Sequence, residues 1–220
     1  MDNVKAVIFD LDGVIVDTAQ FHYMAWKKLA AEWNYALKKE DNEQLKGVSR
    51  MESVAKIAQW AGIYTTDEKL ADVAKRKNDL YLALCANLTA NDVLPGIQEL
   101  IDELKRRHVQ IALGSASKNA RFVLNRLGLS TTFDTIVDGN NVSKSKPNPE
   151  VFLKAAKQMG ALPQSCVVIE DAPAGIEAAL SAGMQVIGLG TPHELQRAHL
   201  VMTTTENLTF KQINNIKVVT

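Results

Sequence analysis

Charged and hydroxyl side chains stand just beyond four short apolar runs of the sequence. They are Asp10 and Asp12 after the first run, Ser115 after the second, Lys146 a few residues past the third, and Glu170 with Asp171 after the fourth. If the runs are parallel strands, their carboxyl ends meet at one edge of a sheet, where ligands bind in such folds. Carboxylates that hold Mg²⁺, together with a lysine and a hydroxyl beside free backbone N–H groups, suit the stabilisation of a phosphoryl group in transfer. The pattern therefore predicts a phosphoryl-transfer site.

The first pair of carboxylates indicates a bound cation. Asp10 and Asp12 are two residues apart, so at a strand end both point to one face while Leu11 points to the other. Two such carboxylates repel each other unless a cation offsets their charge, and Asp171 would complete the set from a second strand. Oxygen ligands without a nearby His or Cys favour Mg²⁺ over zinc. Lys146 would supply a fixed positive charge on the opposite side.

Each of these groups also has a common structural explanation. An Asp-x-Asp pair can be a surface turn, Ser115 can cap the helix that follows it, and Lys146 before a proline can be a solvated loop residue. The acidic pair at 170–171 can begin a helix, where negative charge is favourable. Together, in order and each at a strand end, the groups favour a functional site over these separate explanations.

Strand and helix patterns alternate over most of the chain. Strands are predicted at 4–9, 109–113, 133–137, 166–169 and 186–189, and helices between the later ones end at Gly128, Gly160 and Gly183. A parallel sheet with crossover helices requires this alternation. The last thirty residues give no clear pattern.

Residues 17–87 contain several predicted helices and no convincing strand. The first helix follows Thr18, with apolar residues at helical spacing: Phe21, Met24, Ala25, Leu29 and Trp33. Capping boxes at 49–52 and 65–68 begin two more helices. We therefore expect a discontinuous α/β core of residues 1–16 and 88–220, with a helical cap of residues 17–87 inserted after the first strand.

Composition narrows the class of protein. The chain has 220 residues, of which 25 are Lys or Arg and 25 are Asp or Glu, so its net charge is zero. This balance disfavours nucleic-acid and polybasic membrane binding. No apolar run reaches the ~18 residues of a spanning helix, and the first residues lack a signal-peptide pattern. We expect a cytoplasmic protein with a small-molecule partner. A reducing compartment is the simpler setting for Cys85 and Cys166, although a single disulfide between them stays open.

The motifs resemble those of the haloacid dehalogenase superfamily of phosphotransferases. The matching residues are Asp10-Leu11-Asp12-Gly13-Val14, Ser115, Lys146-Pro147 and Glu170-Asp171. This resemblance implies a Rossmann-like parallel-sheet core with a helical cap after the first strand. Segments 18–22, 45–50, 74–78 and 115–119, with Trp26 and Ser53, are similar to the β-phosphoglucomutase family. That similarity implies a monomeric, Mg²⁺-dependent enzyme that interconverts β-D-glucose 1-phosphate and glucose 6-phosphate through β-glucose 1,6-bisphosphate.

The resemblance also implies roles for individual residues. Asp10 would be the nucleophile that becomes an aspartyl phosphate, and Asp12 the general acid and base. The metal would be held by Asp10, the Asp12 carbonyl oxygen and Asp171, with Glu170 in or near its shell. The transferring phosphoryl group would be gripped by Ser115, the Ala116 N–H and Lys146.

Further roles fall on the cap and on the loop that faces it. The second phosphate would be held by Arg50, Ser117, Lys118 and Asn119. Cap closure would be coupled to Asp12 through His22 and Lys77. Other substrate-binding positions would be Thr18, Trp26, Lys46, Gly47 and Ser53. Taken singly, these charges would be solvated helix residues and Trp26 would be core, so the joint match carries the assignment.

Two departures keep a second function open. Gly114 stands where the mutase family is expected to have Ala, and Pro173 after the acidic pair also suits general phosphatases of the superfamily. The alternative is a Mg²⁺-dependent phosphatase of sugar phosphates or small metabolites. A second phosphate site at 46–50 favours the mutase. A catalytically inactive binding module is the third alternative, and the intact Asp10 and Asp12 argue against it.

Overall fold

The structure, a computed structural model, describes residues 4–46 and 48–216. Six parallel strands form one sheet in the order β3-β2-β1-β4-β5-β6. The strands are β1 (Ala6–Phe9), β2 (Gln110–Gly114), β3 (Thr135–Val137), β4 (Cys166–Glu170), β5 (Gln185–Leu189) and β6 (Leu200–Met202). The α-helices are α1 (Ala19–Glu32), α2 (Lys39–Glu43), α3 (Arg50–Trp60), α4 (Asp67–Cys85), α5 (Ile97–Arg106), α6 (Ala120–Arg126), α7 (Glu150–Met159), α8 (Pro173–Ser181) and α9 (Phe210–Asn214).

The sheet is apolar on both faces because helices cover both. Along β1, Val7 and Phe9 belong to the core cluster on one face, while Ala6 and Ile8 belong to the cluster on the other. All four side chains are fully buried. This two-sided burial explains why the central strands read as continuous apolar runs rather than as alternating patterns.

The predicted α/β class and parallel sheet are confirmed. Five of the six strands were predicted, with ends displaced by at most two residues. The sequence pattern missed β6 and α9 in the last thirty residues. The three residues of β6 are apolar but only partly buried, and a run of three is too short to identify a strand by its pattern.

One local prediction about the helices is wrong. The capping box predicted at 65–68 does not form. The N-cap of α4 is Thr66, one residue later than predicted, and its hydroxyl accepts from Lys69 N. The predicted first helix is present as α1, in which Met24 is about half exposed and the buried side is formed by Ala25, Trp26, Leu29 and Ala30. The box at Ser49 and Glu52 is confirmed at the start of α3.

Among the described residues, the segment between β1 and α5 contains helices α1–α4 and none of the strands of the sheet. Helices α1–α4 enclose a hydrophobic cluster of their own, and no residue of the sheet belongs to it. Its buried members are Trp26, Leu29, Ala30, Leu37, Leu45, Val54, Ile57, Val73 and Ala74. This separate core supports the division into core and cap, whose boundaries stay a prediction. Among the described residues, none of the helices combines the length and apolarity that crossing a bilayer demands.

Local packing explains the glycine at position 114. A Cβ built on Gly114 would lie 2.9 Å from Phe152 Cδ1 and 3.0 Å from Ile8 Cγ2. An alanine here would require the ring of Phe152 to shift. The departure at Gly114 is therefore accounted for by the side chain that packs on it from α7.

Candidate active site

The carboxyl ends of the central strands and the cap helices enclose a cavity of about 690 Å³. Side chains from the four predicted strand ends meet at or beneath this cavity, so the sequence-based expectation of convergence holds. Predicted residues that line it are Asp10, Asp12, His22, Trp26, Lys46, Arg50, Ser53, Lys77, Ser115, Ala116, Ser117, Lys118, Asn119 and Asp171. Gly47 lies outside the described residues.

A buried lysine joins two carboxylates beneath the cavity. Lys146 Nζ donates to Asp10 Oδ1 and to Glu170 Oε1, both at 2.6 Å. Lys146 is 2% exposed and Glu170 is fully buried. Burial alone would lower the pKa of Lys146, but the two carboxylates outweigh burial and raise it. Lys146 is therefore a permanent positive charge next to the proposed nucleophile.

The position of Glu170 depends on close backbone approach. Its second oxygen, Oε2, accepts a hydrogen bond from Ala172 N at 2.7 Å. A Cβ built on Gly175 would lie 1.8 Å from Glu170 Oε1. Glycine is thus required in the first turn of α8 for the Glu170 carboxylate to reach Lys146.

Three carboxylates form a candidate metal site. Ligand atoms of Asp10, Glu170 and Asp171 all lie within 4.8 Å of one another. Burial, reinforced by neighbouring Glu170, raises the pKa of Asp171 to about 7, although Lys46 opposes this change. Burial also raises the pKa of Asp10 well above its ordinary value, while Lys146 opposes it. A set of oxygen donors with excess negative charge fits a hard divalent cation such as Mg²⁺.

Lys46 of the cap reaches the core through this cluster. Its Nζ lies 3.4 Å from Asp171 Oδ2 and 2.8 Å from Glu43 Oε2. Burial alone would lower the pKa of Lys46. The carboxylates of Asp171 and Glu43 outweigh burial, so the pKa lies above its ordinary value. The cap thus contributes a cation to the rim of the acidic site.

Thr18 differs from its expected position. It is fully buried and is absent from the cavity lining. Its hydroxyl donates to Asp12 Oδ1 rather than capping α1. Burial raises the pKa of Asp12, and the bond from Thr18 and the charge of Lys77 oppose that rise. Thr18 therefore orients Asp12, and its role in substrate binding stays a prediction.

His22 and Lys77 form a buried pair between the cap helices α1 and α4. Lys77 Nζ lies 2.6 Å from His22 Nδ1, 4.6 Å from the ring centroid of Tyr81 and 5.1 Å from that of Trp26. Burial and the charge of Arg50 lower the pKa of Lys77 to about 7. Burial, together with Lys77 and Arg50, also lowers the pKa of His22, so its ring is neutral. The lysine can therefore donate to His22 Nδ1.

The loop 115–119 is held by its own hydroxyl groups. Ser117 N donates to Ser115 Oγ at 3.1 Å, and Asn119 N donates to Ser117 Oγ at 3.2 Å. Ser115 is 1% exposed, whereas Lys118 is exposed. Asn119 Nδ2 donates to Asn78 Oδ1 of the cap at 2.7 Å. The loop therefore connects the buried end of the site with the cap.

Arg50 is the first residue of α3 and lines the cavity from the cap. Ser49 Oγ accepts from Glu52 N, and Glu52 Oε2 accepts from Ser49 N at 2.9 Å. Ser53 Oγ donates to Ser49 O at 2.9 Å, so its hydroxyl is engaged within the helix. These contacts fix the start of the helix and thereby the origin of the Arg50 side chain.

Two polar contacts between cap and core were not predicted. Ser145 Oγ donates to Glu52 Oε2 at 2.6 Å, and Asn78 accepts from Asn119 as described above. The sequence pattern indicated only a helix-capping role for Glu52. No periodicity or motif relates residues that are 93 positions apart in the chain.

Comparison with known proteins identifies the family. The model of the haloacid dehalogenase-like hydrolases matches residues 4–183. The chain belongs to this family. Among the haloacid dehalogenase-like hydrolases, it is 43% identical to a β-phosphoglucomutase of Bacillus subtilis strain 168, over 96% of this chain and 94% of that one. A solved β-phosphoglucomutase from Clostridium difficile superposes with a TM-score of 0.94 at 45% identity, covering 97% and 96% of the two chains. A fructose-1-phosphate phosphatase of Escherichia coli K12 is 32% identical over 84% of this chain and 96% of that one.

Proposed function

We propose that this haloacid dehalogenase-like hydrolase is a β-phosphoglucomutase, which interconverts β-D-glucose 1-phosphate and glucose 6-phosphate. The observation that carries the proposal is a cavity with cationic groups at both ends. Lys146 lies beside Asp10 in the core, and Arg50 faces the same cavity from the cap. A sugar bisphosphate needs a cation for each phosphate. The mutases of Bacillus subtilis and Clostridium difficile, similar over nearly the whole chain, support the same activity.

The reaction proceeds through phosphorylation of Asp10. An oxygen of its carboxylate attacks phosphorus of the bisphosphate, and the bond from phosphorus to the sugar oxygen breaks. Asp12 donates a proton to that leaving oxygen. β-Glucose 1-phosphate then binds with its 6-hydroxyl facing the aspartyl phosphate. Asp12 takes the proton from this hydroxyl, which attacks phosphorus as the bond to Asp10 breaks, and the bisphosphate forms. The bisphosphate rebinds in the opposite orientation, its 1-phosphoryl group passes to Asp10, and glucose 6-phosphate leaves. β-Glucose 1,6-bisphosphate is therefore both intermediate and activator.

The core residues stabilise the phosphoryl group during both transfers. Lys146 brings a buried positive charge within 2.6 Å of Asp10 Oδ1, where it can neutralise the oxygens of the phosphoryl group. Ser115 and the Ala116 N–H complete this grip from the end of β2. On the opposite side Arg50, Ser117, Lys118 and Asn119 hold the phosphate that does not react.

We infer that Mg²⁺ is the resident metal. Asp10, Glu170 and Asp171 supply the carboxylates, the Asp12 carbonyl oxygen is a further proposed ligand, and the close approach of the carboxylate oxygens supports this assignment. When bound, the cation polarises the phosphoryl oxygens and offsets their charge. Lys46 and Lys146 remain the protein's own counter-charges to the acidic cluster.

Mg²⁺ binding should be visible without turnover. At ten times its Kd, a ligand of the folded state adds roughly 1.4 kcal/mol to the free energy of unfolding, or about 3–6 °C in a chain of this size. We expect Mg²⁺ to raise the unfolding temperature by this amount in wild type. Asp171→Ala should abolish the increase, while the exposed control Asp102→Ala should retain it. Equal increases in both variants would contradict the assignment.

Product analysis distinguishes the mutase from the alternative phosphatase. The protein is incubated with β-glucose 1-phosphate, a trace of the bisphosphate and Mg²⁺. We expect glucose 6-phosphate without stoichiometric release of inorganic phosphate. Free phosphate as the main product would instead support a phosphatase, the activity named for the Escherichia coli relative.

Arg50 provides a second test of the mutase. A guanidinium can bind the second phosphate through two parallel hydrogen bonds, which a lysine cannot reproduce. Arg50→Ala should lose roughly 2 kcal/mol of transition-state binding, about thirtyfold in kcat/KM for the bisphosphate. Arg50→Lys should show a smaller loss. Phosphorylation of Asp10 by acetyl phosphate should change little, because that molecule has no second phosphate. Equal losses with both phosphoryl donors would favour the phosphatase.

We also propose a reducing, cytoplasmic location. Cys85 and Cys166 are both buried free thiols, which supports the simpler of the two settings considered for these residues. The proposed partner is a small sugar phosphate.

A further inference from the structure

The turn at residues 138–141, just after β3, packs directly against the loop 115–119. Ser115 N donates to Val137 O at 3.0 Å, and Gly139 N donates to Ser117 O at 3.2 Å. Asn140 Nδ2 donates to Lys118 O at 3.0 Å. Three successive contacts thus fix the backbone of the loop from its buried end to Lys118.

The turn and the loop are too close for a side chain between them. A Cβ built on Gly139 would lie 2.3 Å from Ala116 O and 3.0 Å from Lys118 N. The smallest added side chain would have to displace the backbone at Ala116. The spacing therefore requires glycine at this position.

A buried carboxylate fixes the shape of the turn. Asp138 is 1% exposed, and its Oδ1 accepts from Asn140 N at 2.8 Å. Its Oδ2 lies 3.5 Å from Arg121 Nε of α6, and its own N–H donates to Asn141 Oδ1 at 2.9 Å. Asn140 is therefore held in place by the protein itself, before any ligand binds.

We propose that Asn140 is a positioning residue for the second-phosphate half of the site. By holding Lys118 O, it fixes the backbone from which the exposed Lys118 side chain and the cap-bound Asn119 extend. Ser115 and Lys146, at the Asp10 end, are held by other contacts. Asn140 therefore contributes to binding the phosphate that does not react, and not to transfer at Asp10. This inference rests on the proposed function, because it assigns the loop to a bisphosphate.

The test measures the two halves of the site separately. Binding of β-glucose 1,6-bisphosphate is measured by calorimetry with Mg²⁺ in an Asp10→Asn background, where no transfer occurs. Adding Asn140→Ala should weaken binding about fivefold, the equivalent of ~1 kcal/mol for one hydrogen bond. In the chain that retains Asp10, the same substitution should leave the rate of phosphorylation by acetyl phosphate within twofold.

Two further variants sharpen the comparison. Asn125→Ala removes an exposed amide on α6 that bonds Ser130 Oγ, and it should change neither measurement. Gly139→Ala should both weaken bisphosphate binding and slow phosphorylation by acetyl phosphate, because its Cβ displaces the backbone at Ala116. An unchanged bisphosphate Kd in Asn140→Ala, or an equal loss in the acetyl phosphate rate, would overturn the proposal. The mutase assignment has its own test, and it fails if the unaltered chain mainly releases free phosphate from β-glucose 1-phosphate. In that case the ratio of the bisphosphate Kd values with and without Asn140→Ala would still decide the role of Asn140.

Discussion

Asp10→Asn should abolish turnover of β-glucose 1-phosphate. The amide has nearly the shape of the carboxylate, but it is a poor nucleophile and cannot form the phosphorylated enzyme. The change also removes the negative partner that Lys146 contacts at 2.6 Å. We expect mutase activity at the detection limit, and no phosphorylated protein in the mass spectrum after exposure to acetyl phosphate.

The control for this experiment is Asp102→Asn. Asp102 is an exposed carboxylate on α5 whose Oδ1 accepts from Gln98 Nε2, and it is absent from the cavity lining. The Asp102→Asn variant should become phosphorylated on Asp10 and should turn over β-glucose 1-phosphate at the wild-type rate. More than a trace of activity in Asp10→Asn would remove Asp10 from the role of nucleophile.

Asp12→Ala should separate proton transfer from phosphoryl transfer. General acid–base assistance is worth about 10²–10⁴-fold in rate, so kcat for the mutase should fall by that factor. Acetate leaves without needing a proton, so phosphorylation of Asp10 by acetyl phosphate should fall far less. The measurement compares the two rates in the same variant.

A second variant tests whether orientation of the carboxylate matters. Thr18→Val keeps the Asp12 carboxylate and removes the hydroxyl that donates to Oδ1. It should lower kcat less than Asp12→Ala does. A change of less than twofold in the Asp12→Ala mutase rate would mean that this residue has only a structural part.

The meeting of the carboxylates at one edge of the sheet was predictable because each carboxylate lies at the end of a recognisable strand. Because β1 and β4 are buried on both faces, they are continuous apolar runs in the sequence. Asp10 and Glu170 can therefore be identified as strand ends from the sequence alone. Parallel pairing then brings the two ends together, with Phe9 opposite Ile169 in the register. The family resemblance added the cap residues, whose single side chains have no distinguishing pattern.

Other contacts could not be predicted, because they depend on which surfaces meet. Threonine before a helix is typical of an N-cap, yet the Thr18 hydroxyl donates to Asp12, six residues earlier in the chain. The contact of Asn140 with Lys118 joins two loops and leaves no periodic trace. The glycine at 114 departs from the expected motif because the ring of Phe152 occupies the space that a methyl group would need.

The separate hydrophobic core of the cap has an evolutionary consequence. Among the described residues, the cluster around Trp26 and Ile57 is built from cap residues alone, whereas Ala25, Tyr81 and Cys85 of the cap belong to a cluster that includes the sheet. Substitutions within this separate cap cluster therefore do not have to be compensated in the strands that carry Asp10 and Glu170. A lineage can change which sugar it accepts by drifting in one half of the molecule, while selection holds the aspartate chemistry constant in the other.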